Sequence, residues 1–154
     1  MSEHFAEIYW ERAESERFLD KKYSRAHTWT FDGGAKVPAS SSPHSVPIPM
    51  SVAANVDPEE AFVAAISSCH MLWFLFFAAN KGYVINSYRD HAVGIMAKNA
   101  EGKLVITEVT LKPEVIFNGP DSPDKTQINE LHERAHENCN IAHSVKTFIK
   151  IEVV

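Results

Sequence analysis

The sequence predicts an α+β fold, in which strands are segregated around two helices. Three observations support this prediction. Residues 5–37 hold aromatic and β-branched residues in partial alternation, residues 61–79 form a long apolar segment, and the chain ends in the alternating segment "SVKTFIKIEVV". The chain has 154 residues, the size of one ordinary domain. We therefore expect a single domain over residues 1–154.

The N-terminal third is predicted to hold strands and then a long loop. In "HTWTFDGGAKV", Trp29 and Phe31 share one face of an extended segment and a "DGG" turn follows, which predicts a hairpin. Residues 38–57 contain four prolines and five serines, a composition that breaks both helices and sheets. A loop of this length in a compact domain usually serves function or an interface.

The apolar segment "AFVAAISSCHMLWFLFFAA" is predicted to belong to a helix that runs from Pro58 to about Asn80. Asp57 is a suitable N-cap, and Gly82 is a suitable helix end. Nineteen uncharged residues would rise about 28 Å as a helix, which is close to the thickness of a bilayer core. The polar "SSCH" at its middle, the lack of a second span and the amphipathic strands that follow favour a soluble protein over a membrane protein.

A helix that is apolar on every side must also be covered on every side, and one sheet of a chain this size covers only one. The second half of the helix carries four large aromatic residues: Trp73, Phe74, Phe76 and Phe77. Exposed apolar patches of this size mark interfaces. We therefore predict a homodimer with this helix near its centre.

The second half of the chain is predicted to hold two strands, an amphipathic helix and a final strand. The two strands flank the turn "NAEGK", and one face of the second is expected to carry Val105, Thr107, Val109 and Leu111. Ser122 and Pro123 are expected to begin the helix, whose apolar face carries Ile128, Leu131, Ala135 and Cys139. In the final strand, apolar residues alternate with charged ones up to Val153.

Composition limits the classes of function. The net charge is −5, so the chain lacks the basic surface that binds nucleic acid. The N-terminal segment lacks the basic segment, apolar run and cleavage site of a secretory signal, and we expect a cytoplasmic protein. In a reducing compartment, two cysteines are too few for a disulfide framework, so any pairing would be transient and chemical.

The two cysteines are candidate catalytic residues. Cys69 lies among apolar neighbours, where burial disfavours the thiolate, so it needs a cation from elsewhere to be reactive. Cys139, in "AHENCNIAHS", falls where the amphipathic helix ends. Either residue alone could be a small buried hydrophobe. Together they fit a peroxidatic and resolving pair, in which one sulfur is oxidised to sulfenic acid and the other condenses with it.

Two segments carry a family resemblance. "DPEEAFVAAISSCHM", followed about seventy residues later by "AHENCNIAHSVK", resembles the OsmC/Ohr family of osmotically induced and organic hydroperoxide resistance proteins. The family pattern is an N/D-P-E-E/Q start, a long apolar helix with a central cysteine, and a late A-x-x-C-P-[IV]-S segment. The chain departs from this pattern at Asn140, where proline is usual, and at His143, where a small polar residue is common.

The resemblance implies an OsmC-like α+β fold, with antiparallel sheets packed around a long buried central helix, in an intertwined homodimer. It also implies a thiol-dependent peroxidase that reduces organic hydroperoxides, in which Cys69 is the peroxidatic cysteine and Cys139 the resolving one. A dithiol reductant would restore the enzyme, and no organic cofactor is implied. Glu59 matches the glutamate that orients an arginine in this family.

That arginine is expected to come from the N-terminal strands. Arg25, in "YSRAHTW", is the best candidate, and Arg12 and Arg17 are the alternatives. A guanidinium beside Cys69 would favour the thiolate and donate hydrogen bonds to the peroxide oxygens, while Glu59 would hold it in place. Ten helical residues rise about 15 Å, too far for Glu59 and Cys69 of one straight helix to share an arginine. Either the helix is interrupted, or two subunits complete one site.

Two other functions stay open. Four residues with metal-ligating side chains are spaced along one predicted helix face: His132, His136, Cys139 and His143. Four ligands on one helix cannot converge on one ion, but two of them could bind zinc or copper together with Cys69 and His70. Otherwise these histidines are solvated or hydrogen-bonded, and His70 is a core residue. The remaining alternative is a non-catalytic dimer that holds a lipid-like ligand in its apolar cavity.

Overall fold

The structure, a computed structural model, describes residues 1–153 and has the predicted α+β architecture. The chain divides into two compact units, Met1–Ala61 and the segment from Phe62 onward. In chain order, the elements are β1 (Ala6–Tyr9), β2 (His27–Phe31), β3 (Lys36–Ala39), α1 (Pro58–Asn80), β4 (Val84–Asp90), β5 (Val93–Lys98), β6 (Leu104–Leu111), β7 (Pro113–Asn118), α2 (Lys125–Asn138), α3 (Asn140–His143) and β8 (Phe148–Ile151).

The first unit contains an antiparallel sheet in the order β1-β2-β3. The predicted hairpin is confirmed, with Trp29 opposite Val37 in the register of β2 and β3. Its turn needs Gly34 at a φ of 85°, a backbone conformation that glycine adopts without steric penalty. The predicted long loop follows β3, and one bridge between Ala39 and Val56 closes its two ends.

Helix α1 has the predicted boundaries because its two ends are capped. The Asp57 carboxylate accepts a hydrogen bond from the Glu60 backbone N–H, and the Glu60 carboxylate accepts one from the Asp57 N–H. At the other end, Gly82 has a positive φ and the Tyr83 N–H bonds back to the Ala78 carbonyl. The helix is continuous over 23 residues. The alternative of an interruption between Glu59 and Cys69 is therefore wrong.

The second unit packs two small sheets against α1. The first half of α1 contributes Ile66 to a cluster with Val109 and Leu111, on the sheet β5-β6-β8. The second half contributes Phe74, Phe77 and Ala78 to a cluster with Leu131 and Ala135 of α2, over the sheet β4-β7. Cys69 and His70 thus lie on α1 between its two packed regions. In one respect the sheets depart from the prediction, because β6 and β8 pair in parallel.

Three predicted details of the second unit are wrong. Four strands, not two, lie between the helices. The expected face of β6 is broken at Thr107, because a bulge there shifts the alternation, and Ile106 packs with Val109 and Leu111. Asp124, not Ser122, caps α2, since Gln127 three residues later completes a capping box with it.

One face of α1 is exposed in the described part of the chain. The helix is long and apolar enough to cross a membrane, a test that core helices of soluble proteins also pass, and 28% of its most apolar window is buried. Leu72 and Phe76, one turn apart, are 60% and 53% exposed. The predicted dimer would cover this face.

Candidate functional site

The fold brings the two cysteines together. Cys69 lies at the middle of α1 and is half-buried, and Cys139 lies at the end of α2 and is buried. Both are free thiols, and their side chains are close enough for Cys69 to raise the pKa of Cys139. The sulfurs are therefore neighbours, although 70 residues separate them in the chain.

Cys139 occupies the junction between two helices. It is the C-cap of α2 and the N-cap of α3, and its sulfur accepts a hydrogen bond from the Ala142 N–H at 3.4 Å. Burial, and then the neighbouring Cys69 side chain, raise the pKa of Cys139 to about 11, and the Ala142 N–H offsets part of this rise. Cys139 therefore keeps its proton at neutral pH.

This arrangement distinguishes the two sulfurs chemically. Cys139 keeps its proton, whereas the thiolate is the form of cysteine that attacks peroxides, so Cys139 is the less suited of the two to attack first. Cys69 is also the more exposed of the two. The geometry thus suits Cys69 as the nucleophile and Cys139 as the second, protected thiol.

A buried histidine pair lies beside the cysteines. His70 Nε2 and His132 Nδ1 are 3.0 Å apart, and the side chains are 1% and 2% exposed. Burial lowers the pKa of His70 to about 3, with further lowering by the charges of His132 and His136, and lowers the pKa of His132 to about 4. Both imidazoles are therefore neutral. His70 is a core residue, as expected, but its Nδ1 has no partner.

The alternative of a metal site has no support from this geometry. His132 bonds to His70, and the His143 ring bonds to the Glu137 carbonyl at 2.7 Å. Over residues 1–153, no group of three or more His, Cys, Asp or Glu side chains is placed to hold a metal ion.

An interaction between α1 and the end of β4 was not predicted. Ser67 Oγ donates to Asp90 Oδ2 at 2.5 Å, and the Lys112 backbone N–H donates to Asp90 Oδ1 at 2.6 Å. Asp90 thus ties the cysteine helix to the start of β7. The sequence contains only a weak signal for this interaction, because Ser67 and Asp90 are 23 residues apart and neither segment contains a motif that indicates the other as its partner.

Arg25 lies in the first unit, where its own loop holds it. Its guanidinium donates to the carbonyls of Tyr23 and Lys21, and it lies 3.6 Å from the centroid of the Tyr23 ring. It lines an open, largely apolar pocket of about 460 Å³ together with Ile8, Trp10, Phe18, Tyr23, His27, Ser40, Ser41 and Pro58. The pocket therefore combines the Arg25 cation with a largely apolar surface.

The other predicted site residues of the first unit do not line this pocket. Glu59 follows Pro58, which lines the same pocket, but no ion pair joins Glu59 to Arg25 within residues 1–61. Arg12 donates to the carbonyls of its own loop, and Arg17 makes no hydrogen bond in the described part of the chain. Of the three candidate arginines, Arg25 lines this pocket and the other two do not.

No arginine of the second unit is bonded to a cysteine among the residues that the structure describes. The arginines of this unit are Arg89 and Arg134, and neither donates a hydrogen bond to a sulfur among the residues described there. Arg134 lies 4.2 Å from the centroid of the Phe77 ring instead. The predicted site residues thus fall into two groups, the cysteines in one unit and Glu59 with Arg25 in the other.

Comparison with solved structures identifies the fold. An OsmC-like protein of unknown function from Vibrio cholerae is 57% identical, with a TM-score of 0.99 over 100% of both chains. The organic hydroperoxide resistance protein OhrB of Bacillus subtilis is 20% identical, with a TM-score of 0.63 over 97% of this chain and 98% of that one. An organic hydroperoxide resistance protein OsmC from Legionella pneumophila is 12% identical, with a TM-score of 0.69 over 99% and 96%.

Sequence comparison agrees. Among curated proteins, none matches the chain significantly. The family model described as OsmC-like protein matches residues 52–154, about two thirds of the chain and all of the segment that carries both cysteines. The fold and the sequence lead to the same result: the chain belongs to the OsmC-like protein family.

Proposed function

We propose that this protein is a cysteine-based peroxidase that reduces organic hydroperoxides to alcohols. The observation that carries the proposal is the contact between a half-buried thiol on a long helix and a buried, protonated thiol at the end of another. Membership of a family with structures named for organic hydroperoxide resistance supports the same reaction. A cytoplasmic homodimer is part of the proposal.

The proposed reaction has three steps. The Cys69 thiolate attacks one peroxide oxygen, the O–O bond breaks, and the leaving alkoxide takes a proton to give the alcohol and a sulfenic acid on Cys69. The Cys139 thiol then condenses with the sulfenic acid, which forms the Cys69–Cys139 disulfide and releases water. A dithiol reductant reduces this disulfide by thiol–disulfide exchange and is itself oxidised.

Arg25 and Glu59 would complete the site. A guanidinium beside Cys69 offsets the desolvation of the thiolate and donates hydrogen bonds to the oxygen on which negative charge develops. Because α1 is continuous, one straight helix separates Glu59 from Cys69 by about 15 Å. We therefore propose that two subunits of a dimer complete each site, with the cysteines from one and the arginine with its glutamate from the other.

A second candidate function is suggested by the pocket around Arg25. Its floor of Trp10, Phe18 and Tyr23 would suit an apolar ligand, and a non-catalytic dimer could hold a lipid-like molecule there. The two functions differ in what they need from Cys69. A binding protein would keep its ligand when Cys69 is replaced, whereas the peroxidase would lose all turnover.

Mass spectrometry of the intact protein tests the proposal directly. One equivalent of cumene hydroperoxide should remove two hydrogens from the reduced protein, and peptide mapping should place the link between Cys69 and Cys139. Cys139→Ser should stop after the first step, with one added oxygen on Cys69. Cys69→Ser should show neither change and no peroxide consumption.

Ser68→Ala is the matched control, since Ser68 is an exposed neighbour of Cys69 on the same helix. It should react as the parent protein does. Unchanged peroxide consumption by Cys69→Ser, or an oxygen that appears on Cys139 first, would contradict the proposed roles.

A further inference from the structure

The buried histidine pair joins the two helices that carry the cysteines. His70 directly follows Cys69 on α1, and His132 lies on α2 about two helical turns before Cys139. The two rings are nearly parallel, with an angle of 5° and centroids 5.3 Å apart. No step of the proposed reaction uses either imidazole.

Stability alone does not account for this pair. A neutral imidazole has one donor and one acceptor nitrogen, so a single bond between two of them leaves one donor and one acceptor over. These are His70 Nδ1 and His132 Nε2, both buried and without a partner. Unpaired polar atoms in a core are unfavourable, and apolar side chains of similar size would avoid them. The pair therefore serves a purpose other than packing.

We propose that the His70–His132 hydrogen bond positions α1 against α2 so that the sulfurs of Cys69 and Cys139 stay within reach of disulfide formation. These two residues are positioning residues, since neither touches the reacting atoms in the proposed mechanism. The purpose of this positioning rests on the proposed function. The positioning itself is a property of the thiol pair and can be measured without peroxide.

The contacts around the pair suit this role. The His132 ring is stacked on Phe74 of α1, with centroids 4.2 Å apart, so its orientation is set from both sides. Apolar contacts resist separation of two helices but are not directional, whereas a hydrogen bond fixes both distance and rotation. Because His70 and Cys69 are consecutive, a shift of one moves the other. Displacement of reacting groups by about 1 Å can lower a rate by about 10²-fold.

Equilibrium with glutathione measures the positioning. One oxidised glutathione converts the two thiols to the disulfide and releases two reduced glutathiones, so the equilibrium constant reports the effective concentration of Cys69 relative to Cys139. His132→Leu and the double variant His70→Leu/His132→Leu should lower this constant by at least about tenfold. His132→Asn, which keeps a polar atom at the position of Nδ1, should stay close to the parent value.

Leu111→Ala is the matched control. It removes a fully buried side chain from the other cluster, on the sheet β5-β6-β8, and leaves the histidine pair unchanged. It should lower the melting temperature without changing the thiol equilibrium. The double leucine variant removes both unpartnered nitrogens of the pair, so it keeps the test valid if His132→Leu alone fails to fold.

A peroxide experiment separates this inference from the proposed function. With cumene hydroperoxide, the double leucine variant should form the Cys69 sulfenic acid at the parent rate but close the disulfide at least about tenfold more slowly. More Cys69 should then reach the sulfinic acid. A double variant with the parent glutathione equilibrium would overturn the positioning role. A parent protein that forms the disulfide with glutathione but does not consume peroxide would overturn the proposed function alone.

Discussion

Residues 1–61 and residues 62–153 are held together in different ways. The second region has two clusters of fully buried apolar side chains, one on each sheet that packs against α1. The first region has no such cluster among its described residues. Its buried side chains are small or polar: Ala39, Ser40, Ser42, Ser51 and Asp57. The aromatic and aliphatic residues of β1 are exposed instead, with Ile8 and Tyr9 at 61% and 57%.

This difference indicates which surfaces of the chain would need a partner surface. An ordered sheet that exposes its large apolar residues normally has a partner surface, and α1 in the second region also exposes large apolar side chains, Leu72 and Phe76. The proposed chemistry is divided in the same way, with both thiols in the region that has a core and Arg25 in the region that lacks one. A dimer would answer both needs at once.

The largest expected effect is on assembly. Leu72→Asp places a charge on the exposed face of α1, and a symmetric dimer carries the change twice. Loss of about 1.5 to 3 kcal/mol per buried leucine would then weaken the dimer by roughly 10² to 10⁴ in Kd. Sedimentation velocity over a range of concentrations measures this. Lys103→Asp, in the exposed turn between β5 and β6, should sediment as the parent does, and an equally stable Leu72→Asp dimer would place the interface elsewhere.

The next effect is on catalysis and links the two regions. Arg25→Gln should lower kcat/KM for cumene hydroperoxide by about 10² to 10³, the usual effect of losing one donor to a developing oxyanion. The glutathione equilibrium of the two thiols should not change, because Arg25 is not part of their unit. Arg17→Gln is the control, and a loss of activity there instead would reassign the arginine.

Mixed dimers show which subunit supplies the arginine. If two subunits complete one site, a mixture of Cys69→Ser and Arg25→Gln should regain about a quarter of the parent turnover, since half of the dimers are mixed and each has one intact site. A mixture that remains inactive, although exchange of subunits is demonstrated, would favour a site built within one chain.

A further effect is on stability in acid and concerns the second region alone. The folded pKa values of about 3 for His70 and about 4 for His132 lie below that of an unfolded histidine, near 6.5. Below pH 6.5 the unfolded chain therefore binds protons that the folded chain does not, and the free energy of unfolding should fall by about 1.4 kcal/mol per pH unit for each histidine as the pH decreases toward 4. Urea unfolding from pH 7.5 to 4.5 measures the slope. In the double leucine variant the slope should be shallower, and an identical slope would show that these histidines are not the cause.

Local signals account for what the sequence predicted correctly. Asp57 and Pro58 defined the start of α1, Gly82 defined its end, and "DGG" defined the hairpin, because each acts through its own backbone conformation. The position of Cys139 at a helix end was also a local prediction. One local signal was overlooked, since Gln127 three residues after Asp124 already indicated the true cap of α2.

Nonlocal pairings account for the rest. The bulge at Thr107 depends on how β6 pairs with β5, which the β6 sequence does not specify. The bond between His70 and His132 joins residues 62 positions apart in the sequence. The alternative of a metal site was based on the spacing of histidines along one helix, which says nothing about partners on another helix. The meeting of Cys69 with Cys139 was expected from a family pattern, not from either segment alone. The catalytic roles of both cysteines stay predictions until the peroxide experiments are done.

The sulfur of Cys139 also stabilises a helix end, and this affects the choice of substitution for testing its role in the reaction. As the acceptor for the Ala142 N–H in α3, it acts as a cap whether or not Cys139 reacts with an oxidant. Serine preserves that acceptor and is itself a favoured capping residue, whereas alanine removes it. Cys139→Ala would remove both the reactive thiol and the capping acceptor, so a loss of activity would have two possible causes. Cys139→Ser removes the thiol alone and therefore tests its chemical role.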